Sequence, residues 1–335
     1  MGADPKQTHV ALDLKHDAPF ITCRFDPKGR FLFAAAEDRS VVRWDLSAVE
    51  KKVLLRDHDS WVGDLAFSPD GETLVTAGFD DTLAWWPVAA EKPEPARKVK
   101  AHEGWIRAIA VSPDGKLLAS GGNDRVVKLW NFADGSPVRS MEGHEGHVYS
   151  LLFHPSGEFL LSGDLKGQIH QWEAATGKKV RSFDAKALWK YDASQGVDFG
   201  GVRSLSLSPD GKHLTASGLY KAENPLGAVH EPLVLRFEWE TAKLLTSHTV
   251  AGQKSVAWRA RFHPEGFLMC GSGGSAGGHL IFWNAGEDKP FHLFKLPDTV
   301  REFDLHPDGI QIATAHYGKS VRLSKMSPKP PAPAK

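Results

Sequence analysis

Residues 101–132 read AHEGWIRAIAVSPDGKLLASGGNDRVVKLWNF, and their pattern decides the fold. Ile109 and Val111 alternate with Ala108, Ala110 and Ser112, the period of a strand with one face buried. Ser112-Pro113-Asp114-Gly115 is a turn. Proline presets φ at its second position, aspartate tolerates the third, and glycine supplies the left-handed exit. Residues 116–121 return as a second strand, Gly122-Asn123-Asp124 turns tightly, and 126–130 form a third. A weaker fourth, Pro137–Met141, leads to Gly143-His144. Four short antiparallel strands in about 42 residues make one blade of a β-propeller.

The turn proline then serves as a ruler for the whole chain. It recurs as Pro27, Pro69, Pro113, Pro155, Pro209, Pro264 and Pro307, at intervals of 42, 44, 42, 54, 55 and 43 residues. Two positions before it stand Phe25, Phe67, Val111, Phe153, Leu207, Phe262 and Leu305. Seven before it stand Phe20, Val62, Ile106, Val148, Val202, Ala257 and Val300, again all apolar. The count is seven blades, with cores at about 16–48, 58–89, 102–133, 144–175, 200–241, 254–286 and 298–326. Third strands of the first six copies end in Trp44, Trp86, Trp130, Trp172, Trp239 and Trp283; the seventh has Ser324.

That last copy has no sequence left for a fourth strand, because the tail SPKPPAPAK is too proline-rich to enter a sheet. Residues 327–335 are expected to be a flexible end. At the other terminus, 8–14 form an orphan strand in which Val10, Leu12 and Leu14 alternate. The expectation is an all-β, seven-bladed propeller of four-stranded antiparallel blades, spanning 1–326. The N-terminal strand would pair in the last blade, closing the ring and covering open strand edges.

Composition narrows the function classes. Lys+Arg and Asp+Glu both number 41, giving a formal net charge of zero, so the basic excess of a generic polyanion binder is missing and no nucleic acid is expected. Two cysteines, Cys23 and Cys270, both in strands, read as reduced buried thiols and not as a disulfide framework. No run approaches the ~18–20 apolar residues of a membrane span, and MGADPKQTHV lacks a signal-peptide core. A cytoplasmic, monomeric propeller is expected.

The repeating unit resembles the WD-repeat propeller family over about residues 8–326. The resemblance implies a buried tetrad: histidine before the first strand, a hydroxyl in the second, aspartate in the tight turn and tryptophan in the third. Copy two matches with His58, Thr76, Asp80 and Trp86; copy three with His102, Ser120, Asp124 and Trp130. Such a relay satisfies each polar group inside a blade. Copy one has His16, Asp38 and Trp44 but Ala34 for the hydroxyl. Copy four has His144, Ser162 and Trp172, with Lys166 where aspartate would stand, and copies five to seven lack the histidine–aspartate pair.

Sixteen histidines raise a metal hypothesis. The repeat disperses them, however, and His154, His263 and His306 precede turn prolines in different blades, so no metal or other cofactor is expected. Residues 271–279, GSGGSAGGH, contain a G-x-S-x-G pattern and a loose echo of a dinucleotide loop. Both chemistries need a helix next, whereas 279–283 reads as a strand, so a flexible loop between strands is expected there and no catalytic residue is assigned.

In such a blade the loops entering the first strand and those joining the second to the third open on one face, here called the top face. Insertions at 181–201 and 218–232, and the segment 271–279, all rise from it. Eight positions before each proline are Pro19, Trp61, Trp105, His147, Gly201, Val256 and Thr299. Six before are Ile21, Gly63, Arg107, Tyr149, Arg203, Trp258 and Arg301. No blade core requires Trp61, Trp105 or Trp258, and Trp, Tyr and Arg dominate interface energetics.

Trp61, Trp105, Arg107, His147, Tyr149, Arg203, Trp258 and Arg301 are therefore the expected contacts for a protein or peptide partner, with Trp189 and Tyr191 available to cap the channel. The function expected is a non-catalytic interaction scaffold. Two alternatives stay open: an enzyme or small-molecule binder using the channel mouth and 271–279, and a structural subunit that packs by its rim.

Overall fold

The computed structural model describes residues 2–222 and 230–329. In the first blade Phe20–Phe25 is innermost, followed outwards by Phe31–Ala36, Val41–Asp45 and Ala48–Leu55. Blade three repeats this order with Ile106–Val111, Leu117–Gly122, Val127–Asn131 and Pro137–Met141. Seven such sheets form, and their inner strands touch in cyclic order until Val300–Leu305 of blade seven meets blade one. The seventh sheet joins both termini. Thr8–Lys15 pairs antiparallel with Ser320–Met326, from Thr8↔Met326 to Lys15↔Ser320, with a bulge at Ala11.

Both faces of a blade are covered by neighbours, so its middle strands are apolar almost throughout, as FLFAAA at Phe31–Ala36 illustrates. The core is a set of layers between blades. Phe20, Leu32, Val42 and Trp44 of blade one, for example, pack on Ala313, Val321 and Leu323 of blade seven. Cys23 and Cys270 are free thiols within these layers, and burial raises the pKa of both.

The tetrads of blades two to four are complete. In blade three the Trp130 indole donates to Ser120 Oγ (2.8 Å), which lies 2.7 Å from His102 Nε2, and His102 Nδ1 is 2.9 Å from Asp124. Blade two has 3.0, 2.7 and 3.0 Å at the same three contacts. Blade four corrects the expectation at Lys166. Asp164, at the end of the second strand, bonds His144 Nδ1 at 2.9 Å, while Lys166 extends to Glu145.

The physical reason lies in where that position points. A Cβ built on Gly78, the equivalent residue of blade two, would fall 2.0 Å from Asp80 Oδ1 and 2.4 Å from His58 Nδ1. A side chain there reaches the same histidine without the turn aspartate. Burial opposes the ionised form of Asp80, Asp124 and Asp164, but the hydrogen bond and charge of each paired histidine, together with the neighbouring hydrogen-bond donors, outweigh it and lower the pKa. Blade seven uses that position for His316, which bonds Thr314 Oγ1 at 2.8 Å. In blade six Cys270 replaces the hydroxyl, and the Trp283 indole nitrogen is buried without a partner.

Two further expectations change. Phe237, not Trp239, stands opposite Leu214 in the tryptophan register of blade five; Trp239 follows the strand and stacks on His154 at 4.7 Å. Residues 271–279 are not a flexible loop. Leu268–Gly274 and Gly277–Trp283 stay paired to Gly274↔Gly277. The glycines are there for close packing, since a Cβ on Gly273 would lie 2.0 Å from Val300 O and one on Gly278 2.1 Å from Asp298 O. Within the insertion at 181–201 a 3-10 turn, Lys186–Leu188, leads into a hairpin of Trp189–Asp192 and Val197–Gly200, anchored by buried Leu188. Of the insertion at 218–232, residues 223–229 lie outside the described residues, as do 330–335 of the tail.

Buried neutral histidines make stability depend on pH. Burial pushes His170, His248 and His316 down to about 4, helped by His144 beside His170 and Arg322 beside His316. Unfolded, each takes a proton near its ordinary value of ~6.5. The unfolded chain therefore binds more protons below that pH, and stability is full above it and lost as pH falls towards 4. Each histidine is expected to contribute about 2 kcal/mol to that loss. Urea titrations at pH 7.5 and 4.5 check this, and equal midpoints would refute it.

Candidate functional site

The top face is built by the turn after each second strand. The N–H groups of Phe79, Asn123 and Leu165 donate to the carbonyls of Trp61, Trp105 and His147, at 2.7, 3.0 and 2.9 Å. Two residues further on, the inner strand breaks register. The shift falls at Ile21, Gly63, Arg107, Tyr149, Trp258 and Arg301, in six of the seven blades. A β-bulge leaves a residue out of the ladder and re-aims its side chain. The column six residues before the proline is thereby turned into the channel mouth. In blade five, Arg203 precedes the inner strand Ser204–Leu207 and its N–H donates to Ser217 O at 2.7 Å.

These residues surround a mouth cavity of about 340 Å³, lined by Trp61, Phe79, Arg107, Tyr149, Arg203, Trp258 and Arg301 among others. Tyr149 carries two guanidiniums, Arg107 at 4.7 Å and Arg203 at 4.5 Å from the ring centroid. Arg107 also lies over Trp105 and Phe79, at 5.2 and 5.7 Å, and Arg203 over Trp258 at 5.4 Å. Their charges are unequally used. Arg301 is bound to Glu37 at 2.6 Å. Arg107 gives its Nε to the neutral Asn123 side chain at 2.6 Å, and Arg203 Nε is buried with no partner.

Burial lowers the pKa of Arg107 and Arg203, yet a guanidinium keeps its charge. His147, beside Arg107, and His230, beside Arg203, are pushed below the ordinary value first by burial and then by those cations. Deeper in the channel the charges are balanced: Arg24 bridges Asp64 (3.0 Å) and Glu302 (3.4 Å), Arg259 also binds Glu302, the one acid that lines the mouth cavity among the described residues, and Arg261 binds Asp304 at 2.6 Å. Cations available to an incoming anion are thus concentrated at the mouth.

Of the three tryptophans, Trp61 and Trp105 are 41% and 45% exposed, although Trp105 stacks on Phe79 of the preceding blade at 4.7 Å and 4°. Trp258 is held as a wall by its indole bond to Gly273 O at 3.2 Å. Trp189 is turned into its own hairpin, bonding Asp198 at 2.8 Å, and Tyr191 is exposed; neither lines the mouth. Phe79, Glu37 and Tyr317 are members the sequence reading missed. All three stand ten residues after the turn proline, a column that also could have been lined up.

A larger cavity of about 730 Å³ opens at the seam of blades seven and one, but its guanidinium, Arg30, is already bound to buried Asp26 at 2.9 Å. Among the described residues no group of three or more His, Cys, Asp or Glu could hold a metal ion, and no helix is long and apolar enough to cross a membrane.

Comparison with known proteins agrees with the repeat reading. The WD domain, G-beta repeat (WD40) matches at residues 9–45, 50–87, 93–131 and 135–173. Nuclear distribution protein PAC1 of Arthroderma otae is 33% identical over 89 residues, covering 24% of this chain and 19% of that protein. Protein HIR1 of Yarrowia lipolytica is 32% identical over 89 residues, 21% of this chain and 8% of that protein. Human apoptotic protease-activating factor 1 is 31% identical over 71 residues, 21% of this chain and 6% of that protein. The chain therefore matches less than a fifth of the length of each of these relatives.

Proposed function

Because the chain belongs to the WD-repeat family, we propose that it is an interaction propeller whose top face binds a protein or peptide partner. The observation that carries this reading is the pair Arg107 and Arg203, two guanidiniums on one tyrosine with no acid in ion-pair range among the described residues. Like charges held together at a cost to folding are explained by a ligand that neutralises them. An acidic or phosphorylated group of the partner fills that role. Trp61 and Trp105, exposed beside the arginines, supply apolar contact area of the kind that anchors interfaces.

The test is quantitative partner capture on the full chain. The double substitution Trp105→Ala, Arg107→Ala is expected to weaken binding by at least about thirtyfold, with the melting temperature close to that of the parent. Unweakened capture would move the site elsewhere. Glu37→Gln frees Arg301 and is expected to act in the opposite direction, strengthening binding several-fold in low salt. Crosslinks confined to the outer strands would instead favour packing by the rim.

A further inference from the structure

Beside the mouth lies a second cavity, of about 410 Å³, which the repeat alone would not build. One wall is Phe199 and Gly200 of the inserted hairpin, and another is Leu219 on the lengthened second strand of blade five. Val256 and Trp258 of blade six complete an apolar lining, and Leu219, Ala222 and Val256 pack together apart from the layers between blades, with Phe199 and Trp258 against them. Arg203, Trp258 and Arg301 line both this cavity and the mouth, so the two adjoin across Trp258. Arg203 stands at the junction, its Nε buried and without an acceptor.

We propose that this lateral cavity receives a bulky apolar side chain of the partner, directly adjacent in sequence to the acidic residue that Arg203 binds. The ligand is then an acidic peptide segment whose acidic residue is followed or preceded by a large hydrophobic one. Charge complementarity selects the acid, because Arg203 has no counter-ion. The apolar walls and a volume in the range of ~300–1,000 Å³ typical of ligand pockets select the neighbour. The inserted hairpin and blade five thus set specificity, while the repeat provides only the mouth. This rests on the top-face reading and adds to it which residue must stand next to the acid.

Three short labelled peptides with central pairs Glu-Phe, Glu-Gly and Gln-Phe, titrated against the full chain by fluorescence anisotropy, test it. The Glu-Phe peptide is expected to bind about tenfold more tightly than either control. Phe199→Ala, on the exposed hairpin, is expected to remove most of the Phe preference and leave Glu-Gly binding unchanged. Equal binding of Glu-Phe and Glu-Gly, both stronger than Gln-Phe, would leave the top-face reading intact and overturn the lateral cavity. A Phe preference that survives Phe199→Ala overturns it too. No binding by any peptide, or binding indifferent to charge and to Arg203→Gln, overturns both.

Discussion

A chain starting at His16 is expected to melt about 10 °C or more below the full chain, or to fail to close. Thr8–Lys15 is the outer strand of blade seven and the only sequence-distant strand in any blade among the described residues. Its loss would strip the ladder from Ser320–Met326 and uncover the layer in which Leu14 packs against blades one and seven. Further ties go with it: Asp4 N to Met326 O at 2.9 Å, and Ala3 N to Glu265 of blade six at 3.1 Å. Burial of Val10, Leu12 and Leu14 alone accounts for roughly 5 kcal/mol. Adding a synthetic peptide of residues 2–15 in trans should restore part of the loss, since the strand is held by pairing and not by a covalent turn. A truncated chain that melts within a few degrees of the parent would sink the closure model.

Asp164→Ala is expected to cost about 3 kcal/mol in urea titrations, against less than about 0.5 kcal/mol for Lys166→Ala. Asp164 is 0% exposed and accepts from His144 Nδ1 (2.9 Å), Gln168 N (2.9 Å) and Gly146 N (3.4 Å). Its removal strands a buried imidazole and two backbone donors at once. Lys166 holds one partly exposed ion pair with Glu145, of the kind worth little. Alignment with the other blades ranks these two residues the other way round, so the comparison separates spatial from sequential equivalence. Equal costs for the two variants would refute the relay drawn for blade four.

The columns counted from the turn proline led to Trp61, Trp105, Arg107, His147, Tyr149, Arg203, Trp258 and Arg301, and the structure brings all but Trp105 and His147 around one cavity. What those columns did not carry was aim. Residue six before the proline enters the channel because a bulge takes it out of the ladder, and one-residue shifts leave no mark in an alternation only six residues long. Nor did they carry partnership. Arg301 and Arg203 occupy the same column, yet Glu37 from the neighbouring blade neutralises one and nothing among the described residues neutralises the other. His154 before a turn proline and Trp239 after a strand looked unrelated, and they stack across two blades.

The sequence by itself determined the blade count, the strand order within a blade and the closing of the ring by its first strand. Each of these rests on local alternation, turn chemistry and a period of about 42 residues, all written along the chain. Only the tertiary structure decided which carboxylate completes blade four, which arginine remains without an acid, and which inserted segment walls the second cavity. Those outcomes depend on side chains that meet across blades or across a turn, at distances of a few ångströms between residues tens of positions apart. A repeat makes its copies equivalent in sequence, but the ring gives each copy different neighbours.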